Sequence, residues 1–330
     1  MRDFKKELLE IRKNRDVSFF DFCSIDDATT ADFELIFELA RKFRESKTAK
    51  LDLCKNSSQI NAFFEHSTRT QSSFDLAGKH LSIDTNNVGS SSSVKKGESF
   101  LDTIETLDSY NVKIIIIRSR EAGVPEKMRQ HVAASIVNAG DGWHEHPTQA
   151  TLDALTILDH FRAKNLRGKK ITIVGDILHS RVFGSLFRIL KKLGADEIRV
   201  AAPATLLPAE IENFGIKKFF CVESAIKNVD VVYALRMQSE RGSAGFVPSL
   251  REYSKNFGIS RARLNLAKKN AILMHPGPVI RDIDVHSALA AVDSQSHILQ
   301  QVENGLAVRK AILWLLTRRF DKKQKKFFRQ

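Results

Sequence analysis

The chain has 330 residues, of which 42% are hydrophobic and 28% charged, and it carries a formal net charge of +13. This length is typical of about two globular domains, each large enough to bury its own core, and the composition is typical of a soluble globular protein. The N-terminus lacks the apolar core of a signal peptide, and the longest aliphatic runs, such as 114–117, are too short to cross a bilayer. We therefore expect a cytoplasmic protein with no membrane partner.

Much of the positive charge lies at the C-terminal end of the chain. Residues 317–330 include seven basic side chains and one acidic side chain. Such a segment can bind polyanions, so a nucleic-acid-binding protein is one alternative. The sequence favours a frayed, solvated terminus instead, with no nucleic-acid partner.

The three cysteines, Cys23, Cys54 and Cys221, are far apart and form no Cys-x-x-Cys pair. This spacing argues against a disulfide framework and against a zinc site. It predicts three small, buried side chains.

Strands and helices alternate along most of the chain. Two helices are predicted at the N-terminal end, at 3–15 and around 33–43. From residue 57 onward, strands are predicted at 60–64, 83–88, 112–117 and 135–138, and helices at 68–81, 99–110 and 126–132. The uninterrupted isoleucines at 114–117 are typical of a strand covered on both faces, as in a parallel sheet. This half is predicted to be an α/β domain.

A second alternation follows a helix that runs from His146 to about Phe161. It predicts strands at 170–174, 198–201, 217–222, 229–235 and 271–274, and a helix at 182–193. The region 236–263 is rich in serine, glycine and charge, which predicts a long functional loop or lid. A last helix is predicted at about 304–318. The fold class is therefore α/β, with two doubly wound parallel-sheet domains.

One strand ends and a helix begins within the stretch Asn61-Ala62-Phe63-Phe64-Glu65-His66-Ser67-Thr68-Arg69-Thr70. Ser67 occupies the N-cap position, so the unpaired amides of the first turn lie beside Thr68, Arg69 and Thr70. These amides, the positive end of the helix dipole, the hydroxyls and the guanidinium together suit a phosphate group. The alternative is an ordinary capped helix in which Arg69 is a solvated surface charge.

A second motif, His146-Pro147-Thr148-Gln149, follows a short apolar strand and opens another helix. Together with Phe64-Glu65-His66-Ser67-Thr68-Arg69-Thr70, this motif resembles those of the transcarbamoylase family. The threonine at position 148 makes the motif similar to that of the aspartate-specific members of the family. The resemblance extends, with gaps, from about Ser24 to Leu316. It implies a carbamoyl phosphate-binding domain at 1–147 plus about 303–330 and an aspartate-binding domain at 148–302, joined by interdomain helices.

The resemblance implies that an amine attacks the carbonyl carbon of carbamoyl phosphate, that an oxyanion develops and that phosphate leaves. This chemistry requires no cofactor, and no dinucleotide fingerprint or Walker loop is found. His144 and His146 lack a nearby third ligand, so no metal site is predicted. By resemblance, carbamoyl phosphate is bound by Ser67, Thr68, Arg69, Thr70, Arg118, His146, Gln149, Gly277 and Pro278. Thr70, Arg118 and His146 are expected to surround the carbonyl oxygen, where fixed donors stabilise developing charge.

Arg181, Arg236 and Gln238 are predicted to bind aspartate. Two guanidiniums suit a dicarboxylate and would repel the ammonium group of ornithine. The His-Pro-Cys-Gln and His-Cys-Leu-Pro signatures of ornithine-specific relatives are absent from this chain. Taken alone, each arginine has the alternative of being an ordinary surface charge.

The segment 90–98 has the composition of a flexible linker. The resemblance implies instead that Ser92 and Lys96 reach the active site of a neighbouring subunit, that Lys96 contacts both substrates, and that the functional unit is a homotrimer. One departure from the family pattern follows 275–278, where relatives have Asn-Arg-Gly after the valine. Ile280 and Asp282 at these positions put the shape of the turn in doubt.

The resemblance therefore implies an enzyme that makes N-carbamoyl-L-aspartate and phosphate from carbamoyl phosphate and L-aspartate, in pyrimidine (UMP) synthesis. Thr70, Arg118, His146 and Lys96 are its predicted catalytic groups. Two alternatives stay open: carbamoyl transfer to another amino acid such as ornithine, and an inert relative kept as a scaffold subunit. A regulatory chain or a dihydroorotase is a possible further partner.

Overall fold

A computed structural model describes residues 2–13, 15–46, 50–89, 99–238, 245–290 and 293–327. The strands are β1 (Ser57–Phe63), β2 (Ile83–Gly89), β3 (Ile114–Ser119), β4 (Ser135–Asp141), β5 (Lys170–Val174), β6 (Glu197–Ala201), β7 (Lys217–Phe219), β8 (Val231–Ala234) and β9 (Ile272–Met274). The helices are α1 (Arg2–Arg12), α2 (Thr30–Glu45), α3 (Thr68–His80), α4 (Phe100–Asp108), α5 (Val124–Met128), α6 (Pro147–Phe161), α7 (Arg181–Lys192), α8 (Val222–Ile226), α9 (Leu250–Phe257), α10 (Arg261–Leu264), α11 (Ser287–Ala290) and α12 (Ile298–Phe327).

The chain divides into two compact units. The first unit comprises Met1–Leu152 and Glu303–Gln330, and the second comprises Asp153–Val302. The two boundaries therefore fall inside α6 and inside α12.

The first unit contains a four-stranded parallel sheet in the order β2-β1-β3-β4. Ile114, Ile115, Ile116 and Ile117 are all fully buried in β3. A strand buried on both faces needs cover from helices or loops on each side, which is the usual environment of a parallel sheet. The isoleucine run therefore marks the centre of this unit's core.

The second unit contains a five-stranded parallel sheet in the order β7-β6-β5-β8-β9. Strands β5, β8 and β9 are buried along nearly their whole length. The chain reverses its direction of progress across the sheet after β7, because β8 pairs with the other side of β5. The prediction of two parallel-sheet α/β domains is confirmed.

Two segments of the second unit differ from the sequence prediction. The strand predicted at 217–222 ends at Phe219, and α8 begins at Val222. Val222, Ala225 and Ile226 are buried at helical spacing, so the apolar residues of this segment lie on one face of a helix. Residues 239–244 of the predicted loop at 236–263 lie outside the described residues, and the rest of it contains α9 and most of α10. Ser249 caps α9 by accepting from the amide of Glu252 at 3.0 Å.

The predicted frayed terminus is wrong as far as residue 327. Helix α12 extends to Phe327, and Lys323 on it is 6% exposed. The Lys323 ammonium donates to Asp21 Oδ1 at 2.6 Å and to the carbonyl of Ala134. Arg319 on the same helix forms an ion pair with Asp16 at 2.9 Å. Some of the basic side chains at this end of the chain therefore form ion pairs and hydrogen bonds within the first unit.

No helix in the described part of the chain combines the length and the apolar character needed to cross a membrane.

The cysteine prediction is right for two residues and wrong for the third. Cys23 and Cys54 are buried, and burial raises the pKa of the Cys54 thiol to about 11. Cys221 is exposed, because it lies in the short link between β7 and α8, where its thiol donates to Glu223 Oε2 at 3.2 Å.

Candidate active site

The carboxyl edge of the first sheet brings three predicted groups to one side of the first unit. Ser67 follows β1, Arg118 lies near the end of β3, and His146 follows β4. These three strands are adjacent and parallel, and Phe63 of β1 pairs directly with Arg118. Open parallel sheets bind ligands at this edge.

The first turn of α3 has the geometry expected of an anion site. The helix begins at Thr68, and Ser67 is its N-cap residue. The Ser67 side chain makes no cap hydrogen bond to the described residues of this turn, so its hydroxyl does not close its own helix. Thr68 and Arg69 are exposed and Thr70 is half-buried, which leaves the amides and side chains of the turn accessible to a ligand.

Arg118 is buried and held by fixed contacts. Its position coincides with an irregularity in the pairing of β3 with β4, between Ile117 and Ser119. Its Nη1 donates to the carbonyl of Ala139 at 3.0 Å, and its Nε lies 3.3 Å from Glu65 Oε2. A bulge of this kind redirects a side chain. The two contacts then restrict the guanidinium to one orientation.

The turn that leads to His146 is organised by the buried carboxylate of Asp141. Asp141 accepts from the amide of Gly123 at 2.7 Å, from Asn138 Nδ2 at 2.8 Å and from the amide of Glu145 at 3.1 Å. Its Oδ2 also lies 3.0 Å from His144 Nδ1. The buried carboxylate of Asp141 therefore fixes both ends of the turn, because hydrogen bonds to a charged acceptor are strong.

Glu145 fixes the residue next to His146 in a similar way. Its carboxylate accepts from Ser24 Oγ at 2.5 Å and from the amide of Ile25 at 3.1 Å. His146 itself is 5% exposed, and its carbonyl accepts from the amide of Gln149 at 3.0 Å in the first turn of α6. His146 is thus attached to a short, rigid connection between β4 and α6.

His144 is the second histidine of this turn. His144 is bonded to Asp141 instead of facing a cluster of ligands. Across the residues that the structure describes, no three His, Cys, Asp or Glu side chains are grouped so as to hold a metal ion.

The carboxyl edge of the second sheet carries the residues predicted to bind aspartate. Arg181 begins α7 after β5, and Arg236 follows β8, the strand that pairs with β5. Arg181 is 4% exposed, and Arg236 and Gln238 are half-buried. The structure therefore places these three residues on one edge of the second unit.

Asp176, which sequence reasoning did not select, anchors this edge. It is fully buried, and burial raises the pKa of its carboxyl group, although bonds from the backbone and imidazole of His179 and from the amide of Gln238 oppose the shift. The glycine before it has a φ of +133°, and a Cβ there would lie 2.8 Å from the carbonyl of Leu235. Gly175 therefore permits the close approach of the segments that follow β5 and β8.

The turn after β9 carries the remaining predicted residues. Gly277 has a φ of +67°, the Gly277–Pro278 bond is cis, and Pro278 is exposed. The amide of Gly277 donates to His275 Nδ1 at 2.8 Å. Asp282, one of the two departures from the family pattern, adopts a φ of +61° and accepts from the amide of Ser287 at 2.8 Å. Aspartate tolerates this left-handed conformation better than most residues, so the departure is accommodated locally.

Two predicted residues, Ser92 and Lys96, lie outside the described residues. The residues that sequence reasoning missed are mainly buried acids that follow strand ends or orient predicted groups: Glu65, Asp141, Glu145, Asp176 and Asp284. A sequence signal existed for two of them, because Asp141 closes β4 and Asp176 lies two residues after β5.

Comparison with known proteins gives a consistent family assignment. Residues 21–159 match the family model for the aspartate/ornithine carbamoyltransferase carbamoyl-P binding domain, and residues 167–316 match that for the Asp/Orn binding domain. The aspartate carbamoyltransferase catalytic subunit of Acetivibrio thermocellus is 44% identical over 304 residues, covering 91% of this chain and 96% of that protein. The corresponding subunit of Parvibaculum lavamentivorans is 46% identical over 298 residues, covering 89% of this chain and 90% of that protein.

Solved structures of Trypanosoma cruzi aspartate transcarbamoylase are similar in fold. The complex with carbamoyl aspartate and phosphate has a TM-score of 0.80 and 31% identity, covering 89% of this chain and 94% of that chain. The complex with carbamoyl phosphate and aspartate has a TM-score of 0.79 and 31% identity, covering 89% and 95%. These matches confirm the resemblance predicted from the two sequence motifs. The chain belongs to the aspartate/ornithine carbamoyltransferase family.

Proposed function

We propose that the protein is an aspartate carbamoyltransferase, which transfers the carbamoyl group of carbamoyl phosphate to the amino group of L-aspartate. The nitrogen of aspartate bonds to the carbonyl carbon, the bond from that carbon to the phosphate oxygen breaks, and the nitrogen loses a proton. The observation that carries this proposal is the convergence of the Ser67–Thr70 turn, Arg118 and His146 on one sheet edge, in a chain 44% identical to a catalytic subunit of this name.

The first unit supplies the groups that would hold carbamoyl phosphate. The amides, the hydroxyls and the Arg69 guanidinium of the α3 turn complement a phosphate. Thr70, Arg118 and His146 are donors for the carbonyl oxygen, and the fixed contacts of Arg118 mean that it need not reorganise as negative charge develops. Gln149 is assigned to the carbamoyl amide.

The second unit supplies the groups that would select aspartate. Arg181 and Arg236 each complement one carboxylate, and Gln238 adds a neutral donor. In the same unit, the carbonyl of Gly277 is an acceptor for the carbamoyl amide, with Pro278 beside it. This combination of two guanidiniums favours a dicarboxylate over an amino acid with a cationic side chain.

The assembly and setting of the enzyme belong to the same proposal and rest on the family resemblance. The functional unit is a cytoplasmic homotrimer in which Ser92 and Lys96 complete the site of a neighbouring subunit. Its product enters pyrimidine synthesis. A regulatory chain or a dihydroorotase is a candidate partner.

The test is a comparison of amino acid substrates. Purified protein is supplied with carbamoyl phosphate and either aspartate or ornithine, and the ureido product is quantified. We expect N-carbamoyl-L-aspartate and a much lower rate with ornithine. A faster reaction with ornithine would assign a different amine, and absence of both products from folded protein would indicate an inert scaffold.

A further inference from the structure

The carboxylate of Asp284 joins two segments that carry proposed substrate contacts. Asp284 is 2% exposed and lies in the second unit, after the turn that follows β9. Its Oδ1 accepts from the amide of Met237 at 3.1 Å. Met237 stands between Arg236 and Gln238, so this bond fixes the backbone from which both proposed aspartate contacts project.

The second oxygen of Asp284 holds the other segment. Oδ2 accepts from the amide of Ile280 at 2.9 Å and lies 3.2 Å from His275 Nε2. His275 is 1% exposed, and its Nδ1 accepts from the amide of Gly277 at 2.8 Å. Because Nδ1 is an acceptor, the ring proton of neutral His275 is on Nε2 and is donated to Asp284. The carboxylate therefore sets the histidine tautomer that restrains Gly277.

We propose that Asp284 is a positioning residue for carbamoyl transfer, which holds the Arg236–Gln238 segment and, through His275, the Gly277–Pro278 turn in one fixed arrangement. This inference rests on the proposed function. Asp284 acts on the backbone amide of Met237 directly and on that of Gly277 through His275. It does for the second unit what Asp141 does for the His146 turn in the first.

Both oxygens of Asp284 must accept hydrogen bonds, because the three groups that contact its carboxylate among the described residues are donors. An asparagine of the same size has a single acceptor oxygen. If that oxygen faces Ile280 and His275, where it retains two bonds, the amide NH2 group faces the N–H of Met237. The Asp284→Asn substitution therefore displaces the Arg236–Gln238 segment first. The His275 backbone remains held, because its amide also donates to Gln301 Oε1 at 2.9 Å.

The experiment measures the steady-state kinetics of wild type and Asp284→Asn with each substrate varied in turn. Losing a hydrogen bond to a buried charged group predicts a rise of about 10- to 100-fold in the KM for aspartate. The affinity for carbamoyl phosphate, measured by calorimetry, is expected to be unchanged. A role in folding alone would reduce the amount of active enzyme without separating the two substrates.

Asp282→Asn is the matched control, because Asp282 lies in the same loop and its carboxylate accepts from the amide and the hydroxyl of Ser287, which is not a proposed substrate contact. It should leave both constants unchanged. If wild type makes no N-carbamoyl-L-aspartate, the proposed function fails. If wild type is active and Asp284→Asn has the same constants as Asp282→Asn, this inference alone is overturned.

A second variant decides the matter if Asp284→Asn does not fold. His275→Gln retains a donor that can reach Asp284 but removes the acceptor for the Gly277 amide. It should weaken carbamoyl phosphate binding and leave the KM for aspartate unchanged, which is the reverse of the Asp284→Asn pattern. Equal changes for both substrates in His275→Gln would overturn the inference.

Discussion

Lys310 on α12 is 5% exposed, and no acidic side chain within the described ranges forms an ion pair with it. Burial lowers the pKa of its ammonium group from the usual 10.5, because charge is poorly solvated there. Lys310 also lowers the pKa of nearby His80, an effect second to the burial of that imidazole. A charged lysine is therefore a net cost to the first unit at neutral pH.

Replacing Lys310 with methionine is expected to stabilise the protein at pH 7 by about 1 kcal/mol, since the apolar chain fills the site without the desolvation penalty. The folded-state pKa is lowered, so the wild-type free energy of unfolding rises with pH between that pKa and 10.5. The advantage of Lys310→Met should therefore disappear above about pH 10.5. Thermal unfolding across this pH range measures it, with the exposed Lys322→Met as control. An equal gain at all pH values would contradict the explanation.

Arg69 is the residue whose removal tests the anion site at α3 most directly. Arg69→Ala should weaken the binding of carbamoyl phosphate by about 10- to 100-fold, because a charge-assisted contact to phosphate is lost. Lys79→Ala is a control on the same helix, since Lys79 lies in its last turn and pairs with Asp75 at 2.7 Å. Calorimetric titration compares the two variants. Similar affinity in Arg69→Ala and wild type would show that the phosphate binds elsewhere.

The candidate residues were predictable to the extent that they follow strand ends directly. The Ser67–Thr70 turn and His146 each follow a strand end, and each lies in a short sequence motif that indicates its chemistry. Asp284 could not be selected, because its partner Met237 lies 47 positions earlier and the contact depends on the pairing of β8 with β9. The ion pair of Arg118 with Glu65 likewise requires the register of β1 beside β3.

Helix α12 extends the first unit's core through its basic end. The pKa of Asp21 is raised by burial even though Lys323 opposes the shift, so this carboxylate depends on its partner. Lys323→Met leaves Asp21 buried without that partner and is expected to lower the free energy of unfolding by about 3 kcal/mol. The neighbouring Lys322→Met should change little, because the Lys322 side chain is 67% exposed.

Chemical denaturation at pH 7 measures the loss, and its pH dependence identifies the cause. Without Lys323, the pKa of Asp21 rises further above 3.8, so the destabilisation should shrink as falling pH protonates the carboxyl group. A loss that stays constant as the pH falls would indicate packing of the lysine stem as the cause instead.

The type of an element was predicted correctly where a continuous apolar stretch indicated a buried strand. It was predicted poorly where a charged segment was taken to be exposed to solvent. The segment 170–174 and the run 114–117 are continuous apolar stretches, and both are strands. The basic end of α12 was expected to fray, because its sequence does not show that Asp16 and Asp21, about 300 residues earlier, receive its charges. Composition alone cannot distinguish a solvated charge from a paired one.

At the scale of the whole molecule, the proposed homotrimer can be tested by mixing two variant chains, because each of its active sites is proposed to need residues from two chains. If Lys96 acts in the site of a neighbouring subunit, a chain with Arg69→Ala and a chain with Lys96→Ala are each inactive as pure oligomers. A mixed oligomer contains some sites with an intact Arg69 from one chain and an intact Lys96 from its neighbour. Random mixing of equal amounts in a closed ring should produce about a quarter of the wild-type number of such sites.

The two inactive variants should therefore regain about a quarter of wild-type activity when they are mixed, dissociated and reassembled. The recovery follows from geometry alone, because neither chain carries a complete set of residues. Mixed species are verified by a charge tag that separates them on ion exchange, and the matched control mixes Arg69→Ala with Arg118→Ala, both of which damage the same chain's site. Equal activity in the two mixtures, or no recovery in verified hybrids, would show that Lys96 serves its own subunit.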